Sequence, residues 1–281
     1  IIMSTLSQQG SSVAMEALHK GAVDVMPKPS GQEELASFAP VLIEKVKAAA
    51  ISRKRKTAAT MAPHALAQRV PLAAGRTYGA RQLILIGAST GGTEAIKEVM
   101  QSLPGNLPGI AIVQHIPPHF SAAFANRLNT LCAMEVREAV SGDILKPGLA
   151  LVAPGGYHMT VRWTTNHYRV DLNQEEPIWH QRPAVDALFF SAAPYVGRDS
   201  AACILTGMGR DGAEGLLELR KRGVRTFSQD ERSSVVYGMP KVAWELGGSE
   251  KQVPLAAMAR TLVQSISRSP SSRPTAAPMA T

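Results

Sequence analysis

The chain has 281 residues, of which 45% are hydrophobic and 19% are charged. This composition is typical of a globular protein, and the length predicts one large domain with an accessory segment. No apolar run approaches the roughly 18 residues of a membrane-spanning helix, and the opening IIMSTL lacks the features of a signal peptide. We therefore expect a cytoplasmic protein without membrane insertion. The two cysteines, Cys132 and Cys203, form neither a disulfide framework nor a metal-binding spacing, so we expect no metal site.

The net charge of +8 is concentrated in one segment. Residues 51–81 contain seven Lys and Arg residues and no Asp or Glu. A basic run between Ala, Thr and Pro is typical of a solvated linker, and a patch that docks an acidic partner is the alternative. Because the rest of the chain is nearly neutral, we expect no nucleic-acid binding.

The first 50 residues alternate between strand and helix. The strand IIM is followed by the helical SSVAMEALHKG, the strand AVDVM, the turn PKPSG and an amphipathic helix from Glu33 to Ala50. These two β-α units make residues 1–50 a predicted first segment. Residues 51–79 form the predicted linker, which has no strong periodicity.

Residues 80–268 form the predicted main domain, and residues 269–281 a disordered tail. Continuous apolar runs predict buried parallel strands at 83–87, 110–114, 149–153, 202–206 and 224–228. Helices are predicted at 92–102, 120–131, 184–195, 212–222 and 255–267. YHMTVRW and HYRVDL flank the turn TTN and predict an antiparallel hairpin. The fold class is therefore α/β, with a doubly wound, mainly parallel sheet and an attached hairpin.

Three polar residues follow predicted strands, where the ligand crevice of an open parallel sheet lies. Ser89 follows LILIG, His115 follows IAIVQ, and Asp211 follows ACILTGMGR. A histidine can take the proton of a serine hydroxyl near neutral pH, and an aspartate can orient the imidazole. Together these residues predict a catalytic triad for acyl transfer.

Each of these assignments has an alternative. Ser89 or Thr90 could cap the helix that begins near Gly91, and Asp211 could cap the helix after it. The turn GASTGG could also cradle a phosphate. However, it has no lysine of the P-loop type, and the next strand ends in Gln114 and His115 rather than in an acidic residue.

Five sequence blocks in order resemble the catalytic domain of the bacterial chemotaxis-specific protein-glutamate methylesterases. The blocks are LILIGASTGGTEAI, IVQHIPPHF, LVAPGGYHM, RPAVDALF and ILTGMGRDGAEGL, within residues 81–267. The resemblance implies that Ser89, His115 and Asp211 are the triad. It also makes Thr90 and Met208 candidates for the oxyanion and substrate site. The chain departs from the family at Gln181, where a histidine is usual before Arg-Pro.

The first 50 residues resemble the C-terminal half of a flavodoxin-like response-regulator receiver domain. Ser4 matches the hydroxyl residue after the fourth strand of that domain, and Lys28 matches its switch lysine. The phosphate-accepting aspartate belongs to the other half, so we expect no phosphorylation at that site. A half receiver should also leave an unpaired sheet edge and an exposed core face.

The resemblance implies hydrolysis of glutamate γ-methyl esters on the cytoplasmic helices of methyl-accepting chemotaxis receptors, with release of methanol. It also implies a possible glutamine deamidation, no cofactor, and an upstream histidine kinase that acts through an intact receiver domain. Two alternatives belong to other classes. One is a nucleotide- or phosphate-binding α/β module that uses GASTGG, and the other is a regulator that binds receptors without catalysis.

Overall fold

A computed structural model describes residues 1–4, 8–29 and 78–266, together with residues 38–39, 41–43, 45–47 and 49–50. Most of the predicted linker and the whole predicted tail at 269–281 lie outside the described residues. Residues 33–37, where the second N-terminal helix was predicted to begin, also lie outside them. The described residues between 38 and 50 are helical.

The described part of the chain contains twelve strands that form three sheets. In chain order the strands are β1 (Ile2–Ser4), β2 (Val25–Pro27), β3 (Leu83–Ala88), β4 (Gly109–Gln114), β5 (Glu135–Glu138), β6 (Ile144–Leu145), β7 (Leu149–Val152), β8 (His158–Trp163), β9 (Tyr168–Asn173), β10 (Ala201–Ile204), β11 (Arg225–Gln229) and β12 (Lys251–Val253).

The main sheet has seven strands in the order β12-β11-β10-β3-β4-β7-β5, and every neighbouring pair in it is parallel. Strand β3 lies at the centre, between β4 and β10. All six residues of β3 are buried, because helices cover both faces of the sheet. The predicted parallel sheet is therefore confirmed.

Besides the helical residues at 38–50, the described residues form seven helices. They are α1 (Gln8–His19), α2 (Gly92–Ser102), α3 (Phe120–Leu131), α4 (Val185–Ala192), α5 (Ala213–Lys221), α6 (Met239–Glu245) and α7 (Leu255–Ile266). The two faces of the sheet are covered by different helices. One core cluster joins the sheet to α1, α2, α3 and α7, and the other joins it to α4, α5 and α6. Ile84 and Ile86 of β3 enter the first cluster, whereas Leu83 and Leu85 enter the second.

The predicted hairpin is also present. β8 and β9 pair antiparallel, and β6 adds a third strand beside β9. This small sheet packs into the second core cluster through Met159, Val161 and Val170.

In the N-terminal segment, β1 and β2 pair in parallel and place Ser4 opposite Pro27. The backbone N–H of Lys28 donates to the Ser4 carbonyl at 2.8 Å, so the two residues expected from the receiver resemblance are neighbours. The expected exposed core face is only partly exposed. Met15 and Leu18 of α1 are buried in the first core cluster, whereas Val13 is 60% exposed.

The elements missed from the sequence are short or polar. β5 has the sequence EVRE at the edge of the main sheet, and β12 has only three residues. These two edge strands need no continuous apolar run, because most of their side chains are not buried. Within the described residues, no helix is both long enough and apolar enough to cross a membrane.

Candidate active site

The candidate site lies at the edge of the main sheet that is formed by the carboxyl ends of its strands. The α2 helix that follows β3 packs on one face, and the α5 helix that follows β10 packs on the other. The loops after these two adjacent strands therefore diverge and leave a crevice between them, as expected at a topological switch point. Ser89, His115 and Asp211 all line the cavity at this point.

Ser89 and His115 are neighbours because of the strand register. Ala88 at the end of β3 is paired with Gln114 at the end of β4, and each candidate residue comes next in its strand. The backbone N–H of His115 donates to the Ala88 carbonyl at 3.0 Å, which extends this pairing by one step.

The backbone of Ser89 is fixed by three hydrogen bonds. Its N–H donates to the Thr206 carbonyl at 3.0 Å. Its carbonyl accepts from the N–H of Gly92 at 2.7 Å and from Nε2 of Gln114 at 2.9 Å. The Ser89 hydroxyl makes no hydrogen bond to any residue that the structure describes, including His115. It is free to meet a ligand in the cavity.

Neither Ser89 nor Thr90 caps a helix. The N-cap of α2 is Gly91, which has φ 78° and makes no side-chain capping bond. The phosphate-cradle alternative is also weakened by the geometry. The N–H groups of Ser89 and Gly92 are already bonded within the protein, which leaves fewer donors in this turn for a phosphate.

His115 and Asp211 form a buried pair. The distance between Nε2 of His115 and Oδ2 of Asp211 is 2.6 Å, and both side chains are at most 5% exposed. Because a carboxylate accepts at Nε2, that nitrogen carries the proton of a neutral ring. The lone pair is therefore on Nδ1, which is the nitrogen left to act as a base.

The Asp211 carboxylate is held by the N-terminus of α4. Its Oδ2 accepts from the N–H of Val185 at 2.6 Å, and its Oδ1 accepts from the N–H of Asp186 at 2.9 Å. These two backbone donors fix the orientation of the carboxylate toward His115. Asp211 does not cap its own helix, because the N-cap of α5 is Gly212 without a side-chain bond.

The start of α4 is itself fixed by a histidine. Nδ1 of His158 lies 3.2 Å from the N–H of Ala184, the residue before the helix. Nε2 of the same ring is 3.1 Å from the carbonyl of Glu176, which places the ring proton on Nε2. His158 is buried and supports the helix rather than the cavity.

Thr90 and Met208 also line the cavity. In the part of the chain that the structure describes, their backbone N–H groups have no hydrogen-bond partner, so both are available to a developing oxyanion. The Thr90 hydroxyl is already occupied, because it donates to Oδ2 of Asp24 at 2.9 Å. The Thr90 carbonyl accepts from the hydroxyl of Thr206 at 3.0 Å.

The rim of the cavity comes from two different parts of the chain. Val41 and Lys45 of the N-terminal segment form one part, and Nζ of Lys45 is 2.5 Å from Oδ2 of Asp24. Trp179, Gln181 and Arg210 also line the cavity. Gln181, and not His180, thus stands at the rim at the position where the sequence departs from the family pattern.

Gly207 allows the β10 loop to lie against the Ser89 turn. A Cβ atom at Gly207 would be 2.3 Å from Sδ of Met239 and 2.9 Å from Cβ of Ser89. We expect Gly207→Ala to lower the free energy of unfolding by about 1–3 kcal/mol, because the crowded loops must move apart. Activity should fall by about 100-fold or more, since the shift displaces Ser89.

Gly197→Ala is the matched control, because a Cβ atom there meets no atom within 4 Å. Chemical denaturation and ester hydrolysis should both be unchanged by this control. Gly207→Ala protein with the stability and activity of the unsubstituted protein would show that the loops are not packed as described.

The family model described as "CheB methylesterase" matches residues 84–262, which include Ser89, His115 and Asp211. The chain belongs to the CheB methylesterase family. It is 42% identical over 268 residues to the protein-glutamate methylesterase/protein-glutamine glutaminase 2 of Syntrophus aciditrophicus, covering 95% of this chain and 77% of that protein. It is 44% identical over 275 residues to the protein of the same name from Xanthomonas campestris pv. campestris, covering 94% and 78%.

The fold agrees with this membership. The crystal structure of the CheB methylesterase catalytic domain of Thermotoga maritima matches with a TM-score of 0.64 and 33% sequence identity. The match covers 67% of this chain and 99% of that domain. The α/β fold class predicted from the strand pattern is therefore confirmed.

The structure of this CheB family member also shows contributors that the sequence reasoning missed. Nε2 of Gln114 donates to the carbonyls of both Ser89 and His115, at 2.9 and 3.0 Å, and so ties the two loops together. Asp186 is buried beside Asp211, and burial together with the Asp211 charge raises the pKa of the Asp186 carboxyl. A polar residue at the very end of an apolar strand was the available signal for Gln114.

Proposed function

We propose that this protein hydrolyses glutamate γ-methyl esters on the cytoplasmic helices of methyl-accepting chemotaxis receptors and releases methanol. The observation that carries the proposal is the buried His115–Asp211 pair at 2.6 Å, beside Ser89 at one rim of the sheet. A serine, a base and an orienting carboxylate in one cavity are the parts that ester hydrolysis through an acyl-enzyme needs.

The first half of the proposed reaction forms the acyl-enzyme. Oγ of Ser89 attacks the ester carbonyl carbon while its proton passes to Nδ1 of His115. The carbonyl electron pair moves to oxygen and gives a tetrahedral oxyanion, which the N–H groups of Thr90 and Met208 stabilise. The oxyanion then collapses, and the leaving methoxide oxygen takes the proton from Nδ1 and departs as methanol.

The second half restores the serine. Water gives a proton to Nδ1 of His115 as its oxygen attacks the acyl carbon. The second tetrahedral intermediate expels Oγ of Ser89, which takes the proton back. The receptor keeps a free glutamate. Asp211 remains ionised throughout and stabilises the imidazolium that forms in each half-reaction.

The same steps act on a glutamine side chain, with ammonia as the leaving group instead of methanol. Both curated relatives described above carry this second activity in their names. Because an amide is a poorer acyl donor than an ester, we expect deamidation to be the slower of the two reactions. The proposed chemistry uses no metal or cofactor.

The domain organisation is part of the proposal. Residues 1–50 would be the C-terminal half of a receiver domain, residues 51–79 a linker and residues 80–268 the catalytic domain. Val41 and Lys45 stand at the rim of the cavity, which supports a role for the N-terminal segment in access to Ser89. An upstream histidine kinase would act through an intact receiver domain, in the cytoplasm.

The test uses receptors that carry tritiated methyl esters, with volatile methanol as the measured product. The full chain should release methanol, and a fluorophosphonate probe should label Ser89 and block the release. Receptors that carry the label only in their methionine residues, and not in methyl esters, are the control and should release no volatile radioactivity. Receptor binding without methanol release would favour the non-catalytic regulator. A rise in melting temperature with phosphate compounds, without labelling of Ser89, would favour the phosphate-binding module.

A further inference from the structure

Trp179 is an exposed aromatic residue held firmly beside the candidate site. Its side chain lines the cavity with Ser89 and His115, although the residue is 43% exposed. Its indole Nε1 donates to Oδ2 of Asp186 at 3.0 Å. The guanidinium carbon of Arg210 lies 4.6 Å from the centre of the ring, within the range of a cation–π contact.

The backbone around Trp179 is in an unusual conformation. Trp179 has φ 52° and His180 has φ 59°, a region that residues with a side chain rarely adopt. Two backbone hydrogen bonds between Ile178 and Gln181, at 3.1 and 2.9 Å, close the turn that contains them. Strain of this kind persists where surrounding contacts hold it, and it is common at binding and catalytic sites.

Asp186 anchors this tryptophan and belongs to the same helix turn that holds Asp211. It is 2% exposed, its Oδ1 accepts from the N–H of Gly215 at 2.7 Å, and its own N–H donates to Oδ1 of Asp211. The position of the indole is therefore fixed relative to the carboxylate that orients His115.

Core packing does not explain why a tryptophan is present at position 179, because almost half of the residue faces solvent. A large aromatic side chain that is already immobilised loses little conformational entropy when it contacts a partner. Such residues often supply much of the binding energy of an interface. The ring and the aliphatic part of Arg210 together offer an apolar surface next to Ser89.

We propose that Trp179 is a specificity-determining residue whose ring packs on the aliphatic side chains of the receptor helix beside the esterified glutamate, and that Asp186 is its positioning residue. This inference rests on the proposed function, because the substrate is the same methylated receptor helix. The contact is made in the ground state and in the transition state alike, so it acts on KM and leaves kcat nearly unchanged.

The kinetic test compares variants on methylated receptor fragments. Trp179→Ala should raise KM about tenfold with kcat within about threefold, and Trp179→Phe should fall between it and the unsubstituted protein. Trp244→Ala is the matched control, because Trp244 is 44% exposed on α6 and does not line the cavity. An unchanged KM in Trp179→Ala would overturn the proposal.

The role of Asp186 is tested by combining substitutions. Asp186→Asn should raise KM in the unsubstituted background and have almost no further effect on KM in Trp179→Ala, since it acts through the ring. An Asp186→Asn effect that persists in full without the indole would show that Asp186 acts elsewhere. If Asp186→Asn does not fold, Trp179→Phe decides the point, because it removes the same hydrogen bond from the other side.

A fluorescence measurement separates this inference from the proposed function. The chain has three tryptophans, so a Trp163→Phe, Trp244→Phe variant reports on Trp179 alone. With Ser89→Ala added, its emission should shift and resist acrylamide quenching when a methylated receptor fragment binds. Methanol release is measured separately, in the protein that retains Ser89. Binding without the fluorescence change would overturn the inference even if that protein releases methanol normally. The fluorescence change, together with no methanol release by that protein, would support the contact and reject only the esterase activity.

Discussion

Ser89→Ala is expected to lower kcat for methanol release by about 10⁴- to 10⁶-fold, the range seen when a serine hydrolase loses its nucleophile. The reason is chemical and local. Without Oγ no acyl-enzyme can form, and His115 has no hydroxyl proton to take. What remains is attack by water in a cavity that still binds the ester and still presents the N–H groups of Thr90 and Met208.

The fold should not change in this variant. The Ser89 hydroxyl makes no hydrogen bond to any described residue, and the bonds that fix the turn are made by its backbone. We expect the free energy of unfolding to stay within about 0.5 kcal/mol of that of the unsubstituted protein, as measured by urea denaturation.

The matched control is Ser102→Ala at the other end of α2. Ser102 donates to the Glu98 carbonyl and does not line the cavity. It should keep full activity. A Ser89→Ala protein that retains a tenth or more of the activity would exclude Ser89 as the nucleophile, and it would remove the acyl-enzyme from the proposed reaction.

The main sheet could be predicted from the sequence because strands that are buried on both faces consist of continuous runs of apolar residues. LILIGA and GIAIVQ are buried at every position, and the predicted bounds of β3 and β4 differ from the observed ones by one residue. The edge strand EVRE has no continuous apolar run, because only Val136 in it is buried. Its place in the sheet depends on pairing with β7, which is a tertiary contact.

The grouping of Ser89, His115 and Asp211 in one cavity could be predicted for a related reason. In a parallel sheet the strand ends share one edge, so polar residues after apolar runs are brought together by topology. The strand pattern could not predict the hydrogen bonds that hold these residues in place. Asp211 depends on the N–H groups of Val185 and Asp186, about 25 positions earlier in the chain. Every residue except proline has a backbone N–H, so the residue types do not show which N–H groups will bind Asp211.

Asp211→Asn is expected to lower kcat by about 10³- to 10⁴-fold while the cavity keeps its shape. Oδ2 of Asp211 accepts from both the ring of His115 and the N–H of Val185, and Oδ1 accepts from the N–H of Asp186. An asparagine has one acceptor oxygen and one NH2 group, so it cannot satisfy all three donors.

Both orientations of the asparagine are unfavourable. With NH2 at the Oδ2 position, Nε2 of His115 must accept, the ring proton moves to Nδ1, and the proposed base is lost. With the oxygen there, NH2 meets the N–H of Asp186 and that donor is left unsatisfied. We therefore expect a loss of about 1–3 kcal/mol in the free energy of unfolding as well.

The measurement combines kinetics with NMR of ¹⁵N-histidine protein. In the unsubstituted protein the His115 ring proton should be on Nε2 and resonate far downfield, because its bond to the carboxylate is short. Asp171→Asn is the control, since Asp171 pairs with Arg162 on the exposed hairpin. It should keep the downfield signal, full activity and nearly unchanged stability, because an exposed ion pair contributes little.

The location of the ring proton decides between two mechanisms. If the neutral ring of the unsubstituted protein carries its proton on Nδ1, that nitrogen cannot take the proton of Ser89, and the proposed base is wrong. If the proton is on Nε2 and Asp211→Asn moves it, Asp211 acts by fixing the tautomer. A kcat within tenfold of the unsubstituted value would instead show that the chemistry proceeds without the pair.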